Sequence, residues 1–158
     1  MKKPWNRVDL PVYSVSSRYG SEENMHICTY VSAVSMNPKR YMVALYKGTK
    51  TIELAASEKR FVLQLLAEGD HGLIAQLGRQ SGHRVDKVAR LKKRGLVEQW
   101  RGFSVLSNAA AWIELAIIGE MDAGDHVMML CDVVSAKNVK EISILTLDKL
   151  RARGLIRN

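Results

Sequence analysis

Two long runs of strand-forming residues sit almost back to back near the C-terminal end. Trp112 to Glu120 and His126 to Ala136 flank the turn sequence Met121-Asp122-Ala123-Gly124-Asp125. Strands joined this closely pair antiparallel, because a parallel partner needs a crossover of a dozen residues or more. The same punctuation recurs upstream. Leu10 to Ser16 is rich in β-favouring residues and precedes a turn at Tyr19-Gly20-Ser21. His26 to Ser35 then alternates, with Ile27, Thr29, Val31 and Ala33 on one face and Cys28, Tyr30, Ser32 and Val34 on the other. Asn37-Pro38 marks a turn before the apolar strand Tyr41 to Tyr46, and Phe61 to Leu66 reads as a further strand.

Helices fill the gaps. Thr51 is placed to cap a helix through Ile52, Leu54 and Ala55, with Glu53 in its first turn. Gly69 to Gly72 breaks the chain before a short helix near Leu73 to Leu77. Val85 to Arg94 carries Val88 and Leu91 at helical spacing, with Gly95 as its C-cap, and Thr146 to Gly154 closes as a helix. Strands outnumber helices, so the expected fold is mainly β with helical insertions, an antiparallel barrel rather than an alternating parallel sheet. The 158 residues suit one domain, spanning residues 1–158, with a core large enough to stand without staples.

Two cysteines, Cys28 and Cys131, are too few for a disulfide framework and fit a reducing compartment. No apolar run is long enough to span a membrane, and the basic stretch from Met1 to Arg7 lacks the apolar segment of a secretory signal. A cytoplasmic location is the expectation. The net charge of +8 points to an anionic partner or serves solubility alone, and the excess concentrates between Arg79 and Arg94.

Several chemistries are missing. The sequence holds neither a P-loop nor a G-x-G-x-x-G fingerprint, and no G-x-S-x-G elbow. His26, His71, His83 and His126 lie far apart without metal-ligand spacing, so no metal is expected. What remains is a set of polar groups at strand ends and loops. Thr29 and Ser32 bring hydroxyls into an apolar strand, where threonine is also a good strand former. Lys47, Lys50 and Thr51 cluster before a helix N-terminus, the ingredients of a phosphate site or of a capped, solvated loop. Ser81-Gly82 lies in a flexible basic loop, followed by Asp86-Lys87. Gly124-Asp125-His126 enters a strand, where the histidine serves a substrate or ends a hairpin. Trp112, Met128 and Met129 read as core.

In order and spacing these pieces resemble the flavin-reductase family, the FMN-binding split-barrel proteins. The segment His26 to Pro38 resembles the family's strand that bears Thr and Ser and meets a proline turn. Tyr41 to Leu45 with Thr51 resembles its next strand and phosphate-side threonine, and Glu58 to Leu63 the strand that follows. Ser81-Gly82 with Asp86-Lys87, then Gly95-Leu96, Ala111 to Glu114 and Gly124-Asp125-His126, come in the expected order.

The resemblance implies a homodimer of split β-barrels holding FMN, or alternatively FAD, at the subunit boundary. It implies that Thr29, Tyr30, Val31 and Ser32 line the isoalloxazine and ribityl chain. Lys47, Lys50 and Thr51 would hold the phosphate, helped by Lys87, with Ser81 and Gly82 approaching the ring. His126 would face the nicotinamide of NAD(P)H. The implied activity is NAD(P)H-dependent flavin reduction, with a monooxygenase as an example of an electron-accepting partner, and the cofactor carries the chemistry. A non-enzymatic FMN-binding electron carrier on the same fold is the alternative. A helix-turn-helix DNA binder over Leu73 to Leu96 is disfavoured, because Gly78 and Gly82 fall in a stretch longer than that motif's turn.

Overall fold

The computed structural model describes residues 1–157. Nine strands and four α-helices follow in chain order: β1 (Tyr13–Tyr19), β2 (Glu22–Cys28), β3 (Val31–Ser35), β4 (Arg40–Tyr46), α1 (Lys50–Glu58), β5 (Arg60–Leu65), α2 (Ile74–Arg79), α3 (Lys87–Lys93), β6 (Val97–Trp100), β7 (Phe103–Leu106), β8 (Ala111–Ala123), β9 (His126–Asn138) and α4 (Leu147–Ala152). Seven strands form one sheet in the order β2-β1-β5-β8-β9-β4-β3, antiparallel throughout. Its two edge strands, β2 and β3, are consecutive in the chain. The sheet must therefore curl until its edges meet at Thr29-Tyr30. The Tyr30 carbonyl accepts from the Ala44 amide of β4 at 2.9 Å, which carries the β3–β4 pairing up to the join. The edges are tied there and nowhere paired along their length, so the barrel is split.

The alternation of side chains divides the apolar residues between two cores. Val15, Val43, Phe61, Leu63, Leu115 and Met129 point inward and pack with Ala55 of α1, which plugs one end. Val62, Leu77, Val88, Leu91, Phe103 and Trp112 fill a second core, where α2, α3, α4 and the β6–β7 hairpin cover the outer face of β1, β2, β5 and β8. The outer face of β3, β4 and β9 and the far half of β8 has no such cover. Among the described residues no helix is long and apolar enough to cross a membrane, and no group of three metal-ligating side chains forms.

Four expectations are corrected. The run His26 to Ser35 is not one strand, because the Val31 amide turns back to the Thr29 carbonyl at 3.1 Å and the two halves lie on opposite sheet edges. The first strand begins at Tyr13 rather than Leu10. Pro11 has no N–H for the ladder, and Val12 pairs instead with Leu145 near the C-terminus and with Leu66 just past β5. Thr51 is not the cap of α1. Thr49 is, its Oγ1 accepting from the Ile52 amide at 3.3 Å, and Thr51 is buried inside the first turn. The turn between the last two long strands is also shorter than Met121 to Asp125. The ladder runs on to Ala123↔His126, and Gly124 at φ 86° supplies the left-handed turn position. Trp112 and Met129 are core, while Met128 lies on the outer face, half-buried.

The β6–β7 hairpin had no expectation. Its signal was Arg101-Gly102, whose φ values of 51° and 85° are those of a tight hairpin turn. Helices α2 and α3 are separated by residues 80–86, too long for a helix-turn-helix. Their apolar residues Leu77, Val88 and Leu91 are spent on the core.

Candidate functional site

Where the barrel is split, a groove opens. It consists of two cavities of about 230 Å³ and about 270 Å³ that share His26, Tyr46 and Thr49 as a common wall. The first cavity lies against the join between β2 and β3. Thr29 and Tyr30 come from the join itself, Tyr46 from the end of β4, and His126 from the start of β9. Tyr46 and His126 are cross-strand partners, so their side chains share a face. The His126 ring stands edge-on to both neighbours, 5.1 Å from Tyr30 and 5.2 Å from Tyr46. Its Nδ1 lies 2.6 Å from the Asp125 carboxylate, which fixes the ring's orientation. Tyr30 and Tyr46 are both exposed, so this end offers an aromatic cluster open to a planar ligand.

The second cavity is polar and cationic. It is bounded by Gly48, Thr49 and Lys50 at the start of α1 and by Arg79 to Gly82 after α2. Thr49 accepts from the Ile52 amide and donates to the Tyr46 carbonyl at 2.9 Å, so the cap also ties α1 to the end of β4. The first amides of a helix lack intrahelical acceptors and carry the positive end of its dipole. Lys50 adds a charge, shared with Glu22 at 3.2 Å.

The loop opposite is held by Asn24. Its carboxamide is buried and donates to Thr51 Oγ1 at 2.9 Å. Gly82 packs so tightly on it that a Cβ there would lie 2.5 Å from Asn24 Oδ1. Glycine at 82 is thus required by space, and Asn24 and Thr51 brace α1 and the Ser81-Gly82 loop as one unit.

His26 stands at the waist of the groove. Desolvation, with the nearby Lys87 ammonium adding to it, lowers its pKa to about 4, against the pull of the Leu77 carbonyl. The imidazole is neutral at pH 7. Burial pushes the Cys28 thiol up to about 12, so it is no nucleophile, and Cys131 is raised alike by burial with Asp132 nearby.

Of the residues singled out in the sequence, Thr29, Tyr30, Thr51 and His126 line the first cavity, and Lys50, Ser81 and Gly82 the second. Four others lie outside it. Val31 turns into the barrel and Ser32 onto the exposed outer face, bonded to its neighbour's carbonyl. Lys47 pairs with Asp122 at 2.6 Å. Lys87 is buried with its ammonium on the Leu77 carbonyl at 3.1 Å, and burial lowers its pKa to about 8. Lys87 lines neither cavity: its ammonium is held on the Leu77 carbonyl, close to His26 in the groove wall. Asn24, His26, Tyr46 and Thr49 were missed. The sequence signal for Asn24, His26 and Tyr46 was strand parity on β2 and β4, readable once the break at Thr29-Tyr30 is known, and that for Thr49 was its cap-forming hydroxyl before α1.

A seven-stranded sheet closed at one join, with a helix plug and a groove along the seam, defines the class of split-barrel proteins. The particular family follows from comparison. The model of the flavin reductase like domain matches residues 5–153, and the chain belongs to that family. It is similar to diflavin flavoprotein A 1 of Synechocystis sp., at 23% identity over 141 residues, covering 89% of this chain and 24% of that one. Indeed the chain spans less than a quarter of the length of the diflavin flavoproteins it matches.

Among solved structures, the FMN-binding protein from Thermus thermophilus superposes with a TM-score of 0.77 at 21% identity, over 89% of this chain and 77% of that one. BorF, the flavin reductase component of a bacterial two-component tryptophan halogenase, does so with 0.78 at 17% identity, over 90% and 88%. The fold is therefore the FMN-binding split barrel of the flavin reductases.

Proposed function

We propose that this chain is a flavin reductase that binds FMN in the groove and passes it a hydride from NAD(P)H. The observation that carries the reading is the groove's two unlike ends. One is an open aromatic surface of Tyr30, Tyr46 and His126, and the other a helix start with Lys50 and a glycine loop. A phosphorylated planar ring needs both, in that order. The residues fit the group: Lys50 and the first amides of α1 would meet the phosphate, with Ser81 opposite. Thr29 and Thr51 offer polar atoms along the wall between.

Bound FMN supplies the hydride-accepting ring, and the protein contributes orientation and electrostatics. His26, neutral at the waist, adds polar contacts without repelling or attracting charge. Tyr30, Tyr46 and His126 would contact the ring, with His126 toward the nicotinamide. The uncovered outer face of the sheet would pair with a second copy, giving a homodimer with the groove at its boundary. It exposes apolar side chains such as Met121 and Val134. An oxygenase-type partner is the expected electron acceptor, a role supported by the halogenase system that BorF serves.

Purified protein given FMN should be yellow, and anaerobic NADH or NADPH should bleach it. A protein that binds neither FMN nor FAD refutes the reading. One that binds flavin yet is bleached only by dithionite is an electron carrier instead.

A further inference from the structure

Behind the polar end of the groove a lysine is buried without a counter-ion. Lys87 is 1% exposed, and its ammonium donates to the Leu77 carbonyl at 3.1 Å. An ammonium carries three donors, and among the described residues this carbonyl is the only acceptor that the Lys87 side chain meets. The carbonyl belongs to the peptide that leads into Gly78, and Gly78 lines the second cavity beside Asn24 and His26. The ammonium therefore stands behind the groove wall, close enough for its charge to act on His26.

The acids of the surrounding elements are engaged elsewhere. Asp86 caps α3 by accepting from the Ala89 amide at 2.8 Å. On β2, Glu22 holds Lys50, and Glu23 holds Lys92 and Ser104. Glu98 of β6 is exposed. Of the other charged or titratable groups around it, Arg79 of α2 turns to the Leu155 carbonyl, and His83 in the loop before α3 lies 3.3 Å from Glu53. Burial lowers the Lys87 pKa from 10.5 to about 8, so the side chain exchanges its proton in mildly alkaline solution. A buried charge without a partner is costly, and an anion in the adjoining cavity supplies the missing opposite charge.

We propose that Lys87 is a proton switch coupled to the groove: a phosphorylated ligand entering the second cavity draws a proton onto Lys87, and loss of that proton weakens the site for the phosphorylated form. The inference rests on the groove being the site of a phosphorylated ring. Lys87 touches no ligand and acts by its field alone, so it tunes specificity and takes no part in the chemistry. Because the complex favours the charged lysine, binding raises its pKa above the free value of about 8. The added affinity is complete below pH 8 and is lost as the pH rises through the value in the complex.

Calorimetry of wild type with FMN and with riboflavin, which lacks the phosphate, tests this. Titrations at pH 8.5 in two buffers of unlike ionisation heat count the protons taken up. A rise of about one unit in the Lys87 pKa corresponds to about half a proton per FMN at that pH. It also lowers FMN affinity relative to riboflavin about sixfold between pH 7.5 and 9.5. Riboflavin should take up no proton. Lys87→Arg, which stays charged, should abolish the uptake and keep the FMN preference at pH 9.5. Lys87→Met should abolish the uptake and show the weaker preference at every pH. Where neither variant folds, carbon NMR of lysine-labelled wild type decides. One ε-carbon should titrate near pH 8 without ligand, below the ordinary lysine range, and about one unit higher with FMN.

Equal proton uptake with riboflavin and FMN, uptake that persists in Lys87→Arg, or an FMN preference that is flat from pH 7.5 to 9.5 overturns the inference while the groove reading stands. Failure of wild type to bind FMN or FAD at any pH removes the groove reading, and the inference with it.

Discussion

Replacing Gly82 by alanine tests the brace between α1 and the loop that rims the groove. Gly82 does not occupy a left-handed conformation, so a methyl group there meets only a steric obstacle. That obstacle is the Asn24 carboxamide, at 2.5 Å to Oδ1, 2.7 Å to Cγ and 2.8 Å to Nδ2. Asn24 is buried and its Nδ2 bonds to Thr51 Oγ1 at 2.9 Å, so it can yield only by breaking that bond. A lost hydrogen bond that leaves a buried amide unsatisfied costs about 2–3 kcal/mol. Alanine recovers about 0.4–1 kcal/mol by restricting the unfolded chain. The net destabilisation is about 2 kcal/mol, or a fall of about 4–8 °C in Tm for a chain of this size. Urea unfolding of Gly82→Ala, Asn24→Ala and the double variant measures it. In the Asn24→Ala background the obstacle is gone, so Gly82→Ala should there be neutral or slightly stabilising, a coupling of about 2 kcal/mol. If Gly82→Ala unfolds at the wild-type midpoint, or costs the same in both backgrounds, the brace is not what holds the loop.

Two further outcomes are expected. His26 has its folded pKa lowered to about 4 from an ordinary 6.5, so the unfolded chain binds the extra proton between these values. The stability is therefore complete above pH 6.5 and falls by about 3 kcal/mol as the pH drops to 4, a loss that His26→Gln should remove from the difference in urea midpoints; equal pH profiles would refute it. Leu130 sits mid-face on the uncovered side of the sheet, in register with Met42 and Gly119, so Leu130→Glu should convert a dimer into a 17.7 kDa monomer by light scattering; a wild type that is already monomeric removes the proposed interface.

Much of the fold was legible in the chain because local rules suffice for it. The long final hairpin, the strand Tyr41 to Tyr46 and helix α3 ending before Gly95 needed only periodicity and turn chemistry. The errors have one physical source. Thr29-Tyr30 is composed like a strand, and nothing nearby says that its neighbours must reach opposite edges of the same sheet. Thr49 and Thr51 are equally good caps by composition. Thr51 is drawn inside because Asn24, on a strand far away in sequence, requires an acceptor. Lys87 reads as a surface cation, yet α3 turns it onto the Leu77 carbonyl so that Val88 and Leu91 can reach the core.

By itself the amino-acid order determined the antiparallel β character, the positions of most turns and the chemistry on offer: hydroxyls, lysines, one basic loop and a histidine at a hairpin start. These depend on φ and ψ preferences and on the spacing of apolar residues, both local. Tertiary structure decided which of those groups share a groove. Curling the sheet brings Tyr30, Tyr46 and His126 together from three separate segments. It also sets α1 against the Ser81-Gly82 loop and sends Val31, Ser32, Lys47 and Lys87 elsewhere. Convergence depends on barrel closure, which is set by packing across the whole chain and leaves no mark on any one stretch of it.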